Sequence, residues 1–276
     1  MVTKVKSSKK GNITLFVLLG LVVIILLSVT SYYLFEYYST QNLVIRTVQD
    51  DIEGFENSVE SCYQSLVPES LLYVNIQSGR AYPDYINDGL VYGDIEISKY
   101  LMCYYNDSEK QFADFVPTQE DVEFELTRSI QDNLDPCIIG SINNYKNILN
   151  ISYTYVKVNT IIEDKKVSFN INPNLIINYE LNENAYSYKL PQYNMHERVD
   201  NKNYLNIAGA IVKDIENNSG ALDLEKMTEH NISINITAFP NQIYWFDLYD
   251  NISDVQLGKD TYESHYYFAV DLNCRR

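Results

Sequence analysis

The chain has 276 residues and a formal net charge of −16 at pH 7, and its 37 acidic residues all follow residue 35. Four of the 21 basic residues precede that point, so the remainder carries 17 − 37 = −20. This charge argues against nucleic acids and anionic lipid headgroups as partners of that part, because both bind basic surfaces. The 25 tyrosines and the many asparagines are compatible with glycan contact, or alternatively with codon bias in an AT-rich genome.

An uncharged, largely apolar run occupies residues 13–35. Four lysines precede it: Lys4, Lys6, Lys9 and Lys10. About 20 apolar residues in a helix cross the roughly 30 Å hydrocarbon core of a bilayer, and lysines resist translocation. We therefore expect residues 1–12 in the cytoplasm, a signal anchor in the cell membrane at residues 13–35, and an extracellular remainder. The lipid bilayer is the predicted partner of residues 13–35.

A cleaved signal peptide is the alternative interpretation of the same run. The apolar core of a signal peptide has about 7–15 residues and ends at a site of small residues. The best cleavage candidate here, Ser28-Val29-Thr30, lies inside the apolar run. The length of the run favours an uncleaved anchor, and both interpretations export the rest of the chain.

A second apolar pattern follows the membrane segment. Its residues alternate at spacings of three and four: Ile45, Val48, Ile52, Phe55, Val59, Cys62 and Leu66. This spacing is typical of a helix seam over three heptads, and no proline precedes Pro68. We therefore predict that residues 36–67 continue the membrane helix as an amphipathic stalk that ends at Pro68. We expect the seam to pack mainly against its own sheet domain, with self-association or contact with other surface proteins through the stalk as the alternative.

The remainder, residues 68–276, is predicted to be an extracellular α+β domain, with a division into about 68–150 and 151–276 as an alternative. Successive strands joined by short turns indicate an antiparallel sheet with packed helices. One helix begins at the N-cap Thr118, presents an apolar face up to Leu134, and ends at Asp135-Pro136. A second helix has its apolar stripe at residues 205–215.

Period-two alternation and turn residues place the strands of this domain. The predicted strands are residues 95–105, 154–159, 167–181, 186–193, 232–239, 243–248 and 266–272. Pro173 is expected to form a bulge or an edge within the third of these. Two further short helical segments are predicted, after Pro68 up to Gly79 and at residues 222–227.

No catalytic motif occurs in the sequence. The ten glycines do not cluster, so neither a P-loop nor a dinucleotide fingerprint is present, and no G-x-S-x-G or H-E-x-x-H motif occurs. The histidines stand in polar stretches: His196, His230 and His265. The dipeptides His196-Glu197 and Glu229-His230 could contribute to a metal site, although surface histidines are the ordinary interpretation. We predict no enzyme, cofactor or metal, with a surface carbohydrate-active enzyme using paired carboxylates as an alternative.

The exported part contains all of the cysteines: Cys62, Cys103, Cys137 and Cys274. An even number of cysteines outside the cell indicates disulfides. No C-x-x-C pair occurs, which argues against a zinc knuckle or a thioredoxin-type redox site. Four cysteines allow three connectivities, and their spacing selects none of them.

Six asparagines in the exported part fit the N-x-S/T glycosylation pattern: Asn106, Asn150, Asn217, Asn231, Asn235 and Asn251. Of these, Asn231, Asn235 and Asn251 cluster in the last third of the chain, in predicted turns and strand edges. A further match at Asn12 lies on the predicted cytoplasmic side. The sequence therefore predicts a glycoprotein.

Four segments resemble a family of single-pass membrane proteins of DPANN-type archaea. They are Gly11-Asn12-Ile13-Thr14-Leu15-Phe16, Val59-Glu60-Ser61-Cys62, Asn133-Leu134-Asp135-Pro136-Cys137-Ile138 and the stretch from Tyr262 to Val270. The resemblance spans nearly the whole chain and implies no activity. It implies that Cys62 pairs with Cys137, because the other two cysteines are outside the family pattern. Cys103–Cys274 is then the expected second bridge, with a buried free thiol at Cys103 and a disordered Cys274 as the alternative.

The N-terminus also resembles, in part, archaeal type IV pilins. Lys9-Lys10-Gly11 matches the basic entry of pilins, and Thr14 stands at their serine position. Phe16 occupies the position of the pilin glutamate, which docks one subunit against the next. We therefore expect a membrane-anchored surface protein with a structural or binding ectodomain, and a pilin-like filament subunit as the alternative.

Overall fold

The structure is a computed structural model. It describes residues 10–81, 90–92, 95–106, 109–181, 184–223, 225, 230 and 232–275. The chain divides into two compact units, Met1–Gly54 and Phe55–Arg276. Helices and mainly antiparallel strands together confirm the predicted α+β class.

The helices are α1 (Lys10–Ile76), α2 (Gln119–Tyr145) and α3 (Asn201–Asn217), with a short 3₁₀ helix at Pro240–Gln242. The strands are β1 (Leu90–Tyr92), β2 (Ile95–Ile97), β3 (Lys99–Asn106), β4 (Glu109–Asp114), β5 (Asn150–Tyr153), β6 (Lys157–Glu163), β7 (Lys166–Asn172), β8 (Leu175–Leu181), β9 (Asn184–Lys189), β10 (Tyr193–Glu197), β11 (Ser233–Phe239), β12 (Ile243–Leu257) and β13 (Asp260–Arg275).

The largest sheet has five strands in the order β11-β12-β13-β3-β4. Two three-stranded sheets have the orders β10-β7-β6 and β5-β8-β9, and β1 pairs with β2. Strands β13 and β3 run parallel, which differs from the expectation of a purely antiparallel sheet. These two strands are far apart in the sequence, and only a long connection allows parallel pairing.

Helix α1 continues through Pro68 instead of ending there, which corrects the expected helix end. A proline inside a helix removes one hydrogen bond and costs about 3 kcal/mol. Apolar side chains on both sides of Pro68 are buried: Phe55, Val59, Tyr63, Val67, Leu71 and Val74. Full burial of one such side chain contributes roughly 1.5–3 kcal/mol, so together they outweigh the cost of the proline.

Helix α2 likewise continues through Pro136, where the sequence predicted its end. Its predicted start is confirmed, because Thr118 and Asp121 form a capping box. The last turns of α2 bury Ile138 and face α1, where the hydroxyl oxygens of Ser58 and Ser141 lie 2.8 Å apart. Packing on α1 therefore holds the helix together beyond its proline.

Two predicted strands are each divided by a proline. Residues 167–181 form β7 and β8, which belong to different sheets, with Pro173 between them. Residues 186–193 are divided between β9 and β10, with Pro191 in the break. Proline lacks the N–H that a continued ladder requires, so the chain changes sheets at Pro173 and Pro191.

Strand β4 was not predicted, and most of the short helix predicted at residues 222–227 lies outside the described residues.

The end of α1 is a Schellman turn. Ser78 and Gly79 have positive φ angles of 65° and 72°. The Gly79 N–H donates to the Val74 carbonyl at 2.8 Å, and the Ser78 N–H donates to the Asn75 carbonyl at 3.3 Å. The Ser78 hydroxyl also accepts the Ser98 N–H at 2.9 Å, which ties this turn to the start of β3.

A buried polar cluster connects three elements of the second unit. Asn75 of α1 and Asn201 of α3 exchange two amide hydrogen bonds of 2.9 and 2.8 Å. Asn75 also donates to the Ser264 hydroxyl of β13 at 3.0 Å. Since buried polar groups are costly without partners, this network favours one relative placement of α1, α3 and β13.

Part of the tyrosine content belongs to the core and not to the surface. Tyr63, Tyr100, Tyr204 and Tyr266 are fully buried. Tyr100 stacks on Phe268 with ring centroids 5.1 Å apart. The abundance of tyrosine is therefore no evidence of glycan contact by itself, and only particular surface tyrosines are relevant to binding.

Candidate functional site

One face of strands β12 and β13 carries aromatic and ionisable side chains close together. We define the aromatic–acid face as Trp245, Asp247 and Tyr249 of β12 with His265 and Tyr267 of β13. In the antiparallel register Asp247 lies opposite Tyr267, and Tyr249 lies opposite His265. Directly opposed side chains are about 4.5–5.5 Å apart at Cβ, so these five side chains form a continuous surface.

The other face of the same strands belongs to the hydrophobic core. Phe246 and Leu248 of β12 and Tyr266 and Phe268 of β13 are fully buried. Phe246 stacks on Phe268 with ring centroids 4.7 Å apart. Because successive residues of a strand point to opposite faces, this core fixes the outward direction of the aromatic–acid face.

An ion pair lies within the aromatic–acid face. His265 Nδ1 is 2.7 Å from Asp247 Oδ1, and His265 Nε2 is 3.9 Å from a carboxylate oxygen of Glu263. The hydrogen bond to Asp247 raises the pKa of His265 above its usual value, partial burial opposes this shift, and the two negative charges add to it. The side chains of His265 and Asp247 remain 29% and 17% exposed, so both can be reached by a ligand.

Aromatic contacts give this face its shape. The rings of Tyr249 and His265 are stacked with centroids 5.1 Å apart, and Trp245 and Tyr267 meet edge to face at 5.0 Å. Rings offer flat apolar surfaces, while the carboxylate and imidazole supply hydrogen bonds. This combination suits a ligand that has both apolar C–H surfaces and hydroxyl groups.

Strand β11 extends the face with a glycosylation sequon. Asn235 lies opposite Asp247, and Thr237 lies opposite Trp245. Both residues are exposed, and the Asn235 side-chain amide donates to Asp247 Oδ2 at 3.4 Å. The predicted sequon at Asn235 is therefore adjacent to the aromatic–acid face.

The other predicted sequon asparagines are distributed over the rest of the domain. Those within the described residues are exposed: Asn106, Asn150, Asn217 and Asn251. Asn231 lies outside the described residues. In the sequon of Asn251, the serine at position 253 is buried and donates to Asp250.

The four cysteines form two pairs. Cys62 of α1 pairs with Cys137 of α2, with Cα atoms 6.0 Å apart. Cys103 of β3 pairs with Cys274 of β13, with Cα atoms 4.4 Å apart. Both pairs are the expected ones, and the second ties the last strand to β3.

The two residues of the histidine dipeptide in β10 face opposite sides of the strand. His196 is exposed whereas Glu197 is buried, because neighbouring strand residues point to opposite faces. Burial raises the pKa of Glu197, and its carboxylate accepts the N–H of Gln256 at 3.3 Å. Within the part of the chain that the structure describes, no group of three or more His, Cys, Asp or Glu residues could hold a metal ion.

A small pocket lies between α1 and α2. It has a volume of about 310 Å³ and is lined by Leu66, Glu69, Ser70, Tyr73, Ala81, Ser129 and Asn133. The Asn133 amide lies 3.5 Å from the Ser70 hydroxyl at its wall. Its lining combines one carboxylate with neutral groups and offers no pair of reactive side chains, so the aromatic–acid face is the stronger candidate.

The aromatic–acid face was not identified from the sequence. The sequence does not distinguish His265 from an ordinary surface histidine, and the predicted strand at residues 243–248 ends before Tyr249. The signal for this face in the sequence is the alternation of Trp245, Asp247 and Tyr249 with the apolar residues Phe246 and Leu248.

Comparison with family models, curated proteins and solved structures gives no match to the chain.

Proposed function

We propose that the protein is a membrane-anchored surface protein whose ectodomain acts by binding and not by catalysis. The observation that carries this proposal is the apolar part of α1. Val17–Tyr38 has a mean hydropathy of 2.4 over a helix long enough to span a bilayer, and its side chains are exposed. The remaining chain, with its charge of −20, would then lie outside the cell, with the four N-terminal lysines inside.

The two cysteine pairs support an extracellular location of the second unit. Disulfides persist in oxidising compartments and are rare in the cytosol. Both pairs lie in residues 55–276, after the apolar segment. The aromatic–acid face is the surface through which we propose that this ectodomain binds.

A filament subunit is the second candidate function. The observation that favours it is α1, which begins at Lys10 in the pilin-like entry and continues through the apolar run to Ile76. Self-association would then use the early part of α1, since the seam residues Phe55, Val59 and Cys62 are buried within their own domain. Separately from the filament alternative, we propose that the membrane-anchored protein is related to the single-pass membrane proteins of DPANN-type archaea.

Protease accessibility tests the proposed topology. Protease added to intact cells that express the full chain with a tag at each end should remove the C-terminal tag and leave the N-terminal tag intact. Detergent-permeabilised cells are the control in which both tags are lost. A protected C-terminal tag on intact cells would contradict an extracellular ectodomain.

N-terminal processing distinguishes the two candidate functions. Intact-mass measurement of the purified chain should give a start at Met1 for a simple anchor, whereas a pilin-type subunit would start at Asn12. A chain that lacks the whole apolar run would instead indicate a cleaved signal peptide.

A variant with Lys4, Lys6, Lys9 and Lys10 replaced by glutamate should lose its uniform orientation in the membrane, because positive charge sets the direction of insertion.

A further inference from the structure

We propose that Asn235 carries a glycan whose first sugar lies on the aromatic–acid face, against Trp245. The inference rests on the proposed export of residues 55–276, because only exported asparagines meet the glycosylation machinery. It goes further by naming one modification site and the surface that receives the modification.

The position of the sequon on β11 is the first argument. Asn235 and Thr237 are two residues apart on a strand, so both point to the same face of the sheet. Thr237 stands directly opposite Trp245, and Asn235 stands directly opposite Asp247. Asn235 and Trp245 are therefore diagonal neighbours whose positions on the two strands lie about 7–8 Å apart, a span that one sugar ring can bridge.

The direction of the Asn235 side chain is the second argument. Its Nδ2 lies 3.4 Å from Asp247 Oδ2, so the amide is directed across β12 and away from the sheet edge. In the modification, a host transferase moves a glycosyl group from a lipid-linked phosphate donor to Nδ2. The sugar C1–O bond to phosphate breaks, the C1–Nδ2 bond forms, and one Nδ2 proton leaves. The remaining N–H can still donate to Asp247, so the new bond points over the aromatic–acid face.

The chemistry of the receiving surface is the third argument. A sugar ring has an apolar C–H face and a rim of hydroxyl groups. The indole of Trp245 offers a flat partner for the C–H face, since dispersion contacts accumulate over a whole ring. Asp247 and His265 lie beside it and can exchange hydrogen bonds with the hydroxyl groups. The aromatic–acid face therefore has the components that a covalently tethered sugar would use.

The position of β11 in the sheet adds a reason for covering this region. Strand β11 is the terminal strand of the five-stranded sheet as described. Terminal strands present unpaired backbone groups that promote edge-to-edge association, and proteins commonly shield them. A glycan on Asn235 would screen this edge and, in the same chain, would be the carbohydrate ligand that the aromatic–acid face binds.

The sequon at Asn150 provides a matched comparison within the same chain. Asn150 lies on β5 opposite Asn178, and Ser152 lies opposite Ile176. On the far side of β8, Asn178 is opposite Ser187. This second sequon is also exposed on a terminal strand, but its neighbours are polar or aliphatic and offer no aromatic ring.

The experiment uses the full chain produced in a glycosylating eukaryotic host and purified in detergent. Glycopeptide mass spectrometry first determines which asparagines are modified. Thermal unfolding is then compared between the wild type, Asn235→Gln, Trp245→Ala and the double variant. We expect loss of the Asn235 glycan to lower the midpoint by about 2–4 °C when Trp245 is present, the shift that 1 kcal/mol produces in a domain of this size. In the Trp245→Ala background the same loss should change the midpoint by less than about 1 °C.

Fluorescence supplies a readout that needs no change at Trp245. Trp245 is the single tryptophan of the chain, so its emission reports on this site alone. Collisional quenching by acrylamide should be weaker in the glycosylated wild type than in either Asn235→Gln or Thr237→Val. Ser152→Ala, which removes the comparison sequon, should leave both the quenching and the coupling to Trp245 unchanged.

Two outcomes would overturn the proposal. One is an unmodified Asn235 in material whose Asn150 or Asn251 carries glycan, which would leave the proposed export intact. The other is a modified Asn235 with equal quenching in the wild type and both sequon variants. Failure of export would be recognised separately, by an absence of glycan at every site together with protease protection of the C-terminal tag.

Discussion

The pair Lys99–Asp271 is the clearest buried ion pair among the described residues. Lys99 Nζ lies 2.9 Å from Asp271 Oδ2, and each side chain is 4% exposed. Asp271 also accepts the N–H of Asn273 at 3.1 Å. The two charged residues belong to β3 and β13, which form the parallel pair of the five-stranded sheet. Burying either charge is costly unless the opposite charge lies beside it, so each residue makes the burial of the other possible.

We expect Lys99→Met to lower the free energy of unfolding by about 3–5 kcal/mol, because it removes the Lys99 cation from the buried Asp271 carboxylate. Urea unfolding of the full chain in detergent under non-reducing conditions measures this loss. Arg128→Ala is the control, since Arg128 and Asp132 are 3.9 Å apart and half exposed, and it should cost less than about 1 kcal/mol. Equal effects of the two substitutions would contradict this assignment.

The turn that ends α1 depends on a glycine. Gly79 has a φ of 72°, and a Cβ there would lie 2.8 Å from both the Tyr266 hydroxyl and a methyl group of Val122. Gly258 has a similar φ of 63°, but a Cβ there would meet nothing within 4 Å. The two glycines therefore separate backbone strain from steric overlap.

Replacing each of these glycines by alanine should give different losses of stability. Gly258→Ala should cost about 1–2 kcal/mol, the usual cost of a left-handed conformation with a side chain. Gly79→Ala should cost about 1–3 kcal/mol more, because the new methyl also overpacks the junction of α1, α2 and β13. Thermal and urea unfolding of both variants measure the difference, and equal losses would show that the junction yields without cost.

Element types and most strand positions could be predicted from the sequence, because they follow from local periodicity and capping residues. The continuation of the helices through Pro68 and Pro136 could not be predicted, since burial of side chains on both sides of each proline outweighs the cost of a proline inside a helix.

The aromatic–acid face depends on a longer-range feature. Four residues of β12, Asp250–Ser253, stand opposite Ser264 alone, and Asp250 accepts the N–H groups of Ile252 and Ser253. This bulge reverses which residues face outward, so counting back from the turn at Gly258 would have placed Asp247 opposite Val270 instead of Tyr267.

The two disulfides interleave along the chain. Their order is Cys62, Cys103, Cys137 and Cys274, so each bridge encloses one end of the other. The sequence separations are 75 and 171 residues. In the chain-entropy model the stabilisation grows only with the logarithm of loop length.

The double variant Cys62→Ser/Cys137→Ser should therefore lose about 4 kcal/mol of unfolding free energy, and Cys103→Ser/Cys274→Ser should lose about 5 kcal/mol. Chemical unfolding of the two variants beside the wild type measures both losses. Non-reducing peptide mapping of the wild type is the control for connectivity. A Cys62–Cys103 or Cys62–Cys274 peptide would contradict the pairing.

Interleaved bridges also determine how the ectodomain responds to mechanical tension. When the chain is pulled between Cys62 and Cys274, the load passes through the first bridge to Cys137, back along about 34 residues to Cys103, and through the second bridge. At roughly 3.5 Å per residue, this covalent path can lengthen to about 120 Å, whereas the unbridged chain between the same points could reach about 740 Å. The segment from residue 138 to residue 273, which includes the aromatic–acid face, lies outside the loaded path. A surface protein loaded between its membrane anchor and its last strand would thus keep the aromatic–acid face off the covalent path that carries the tension.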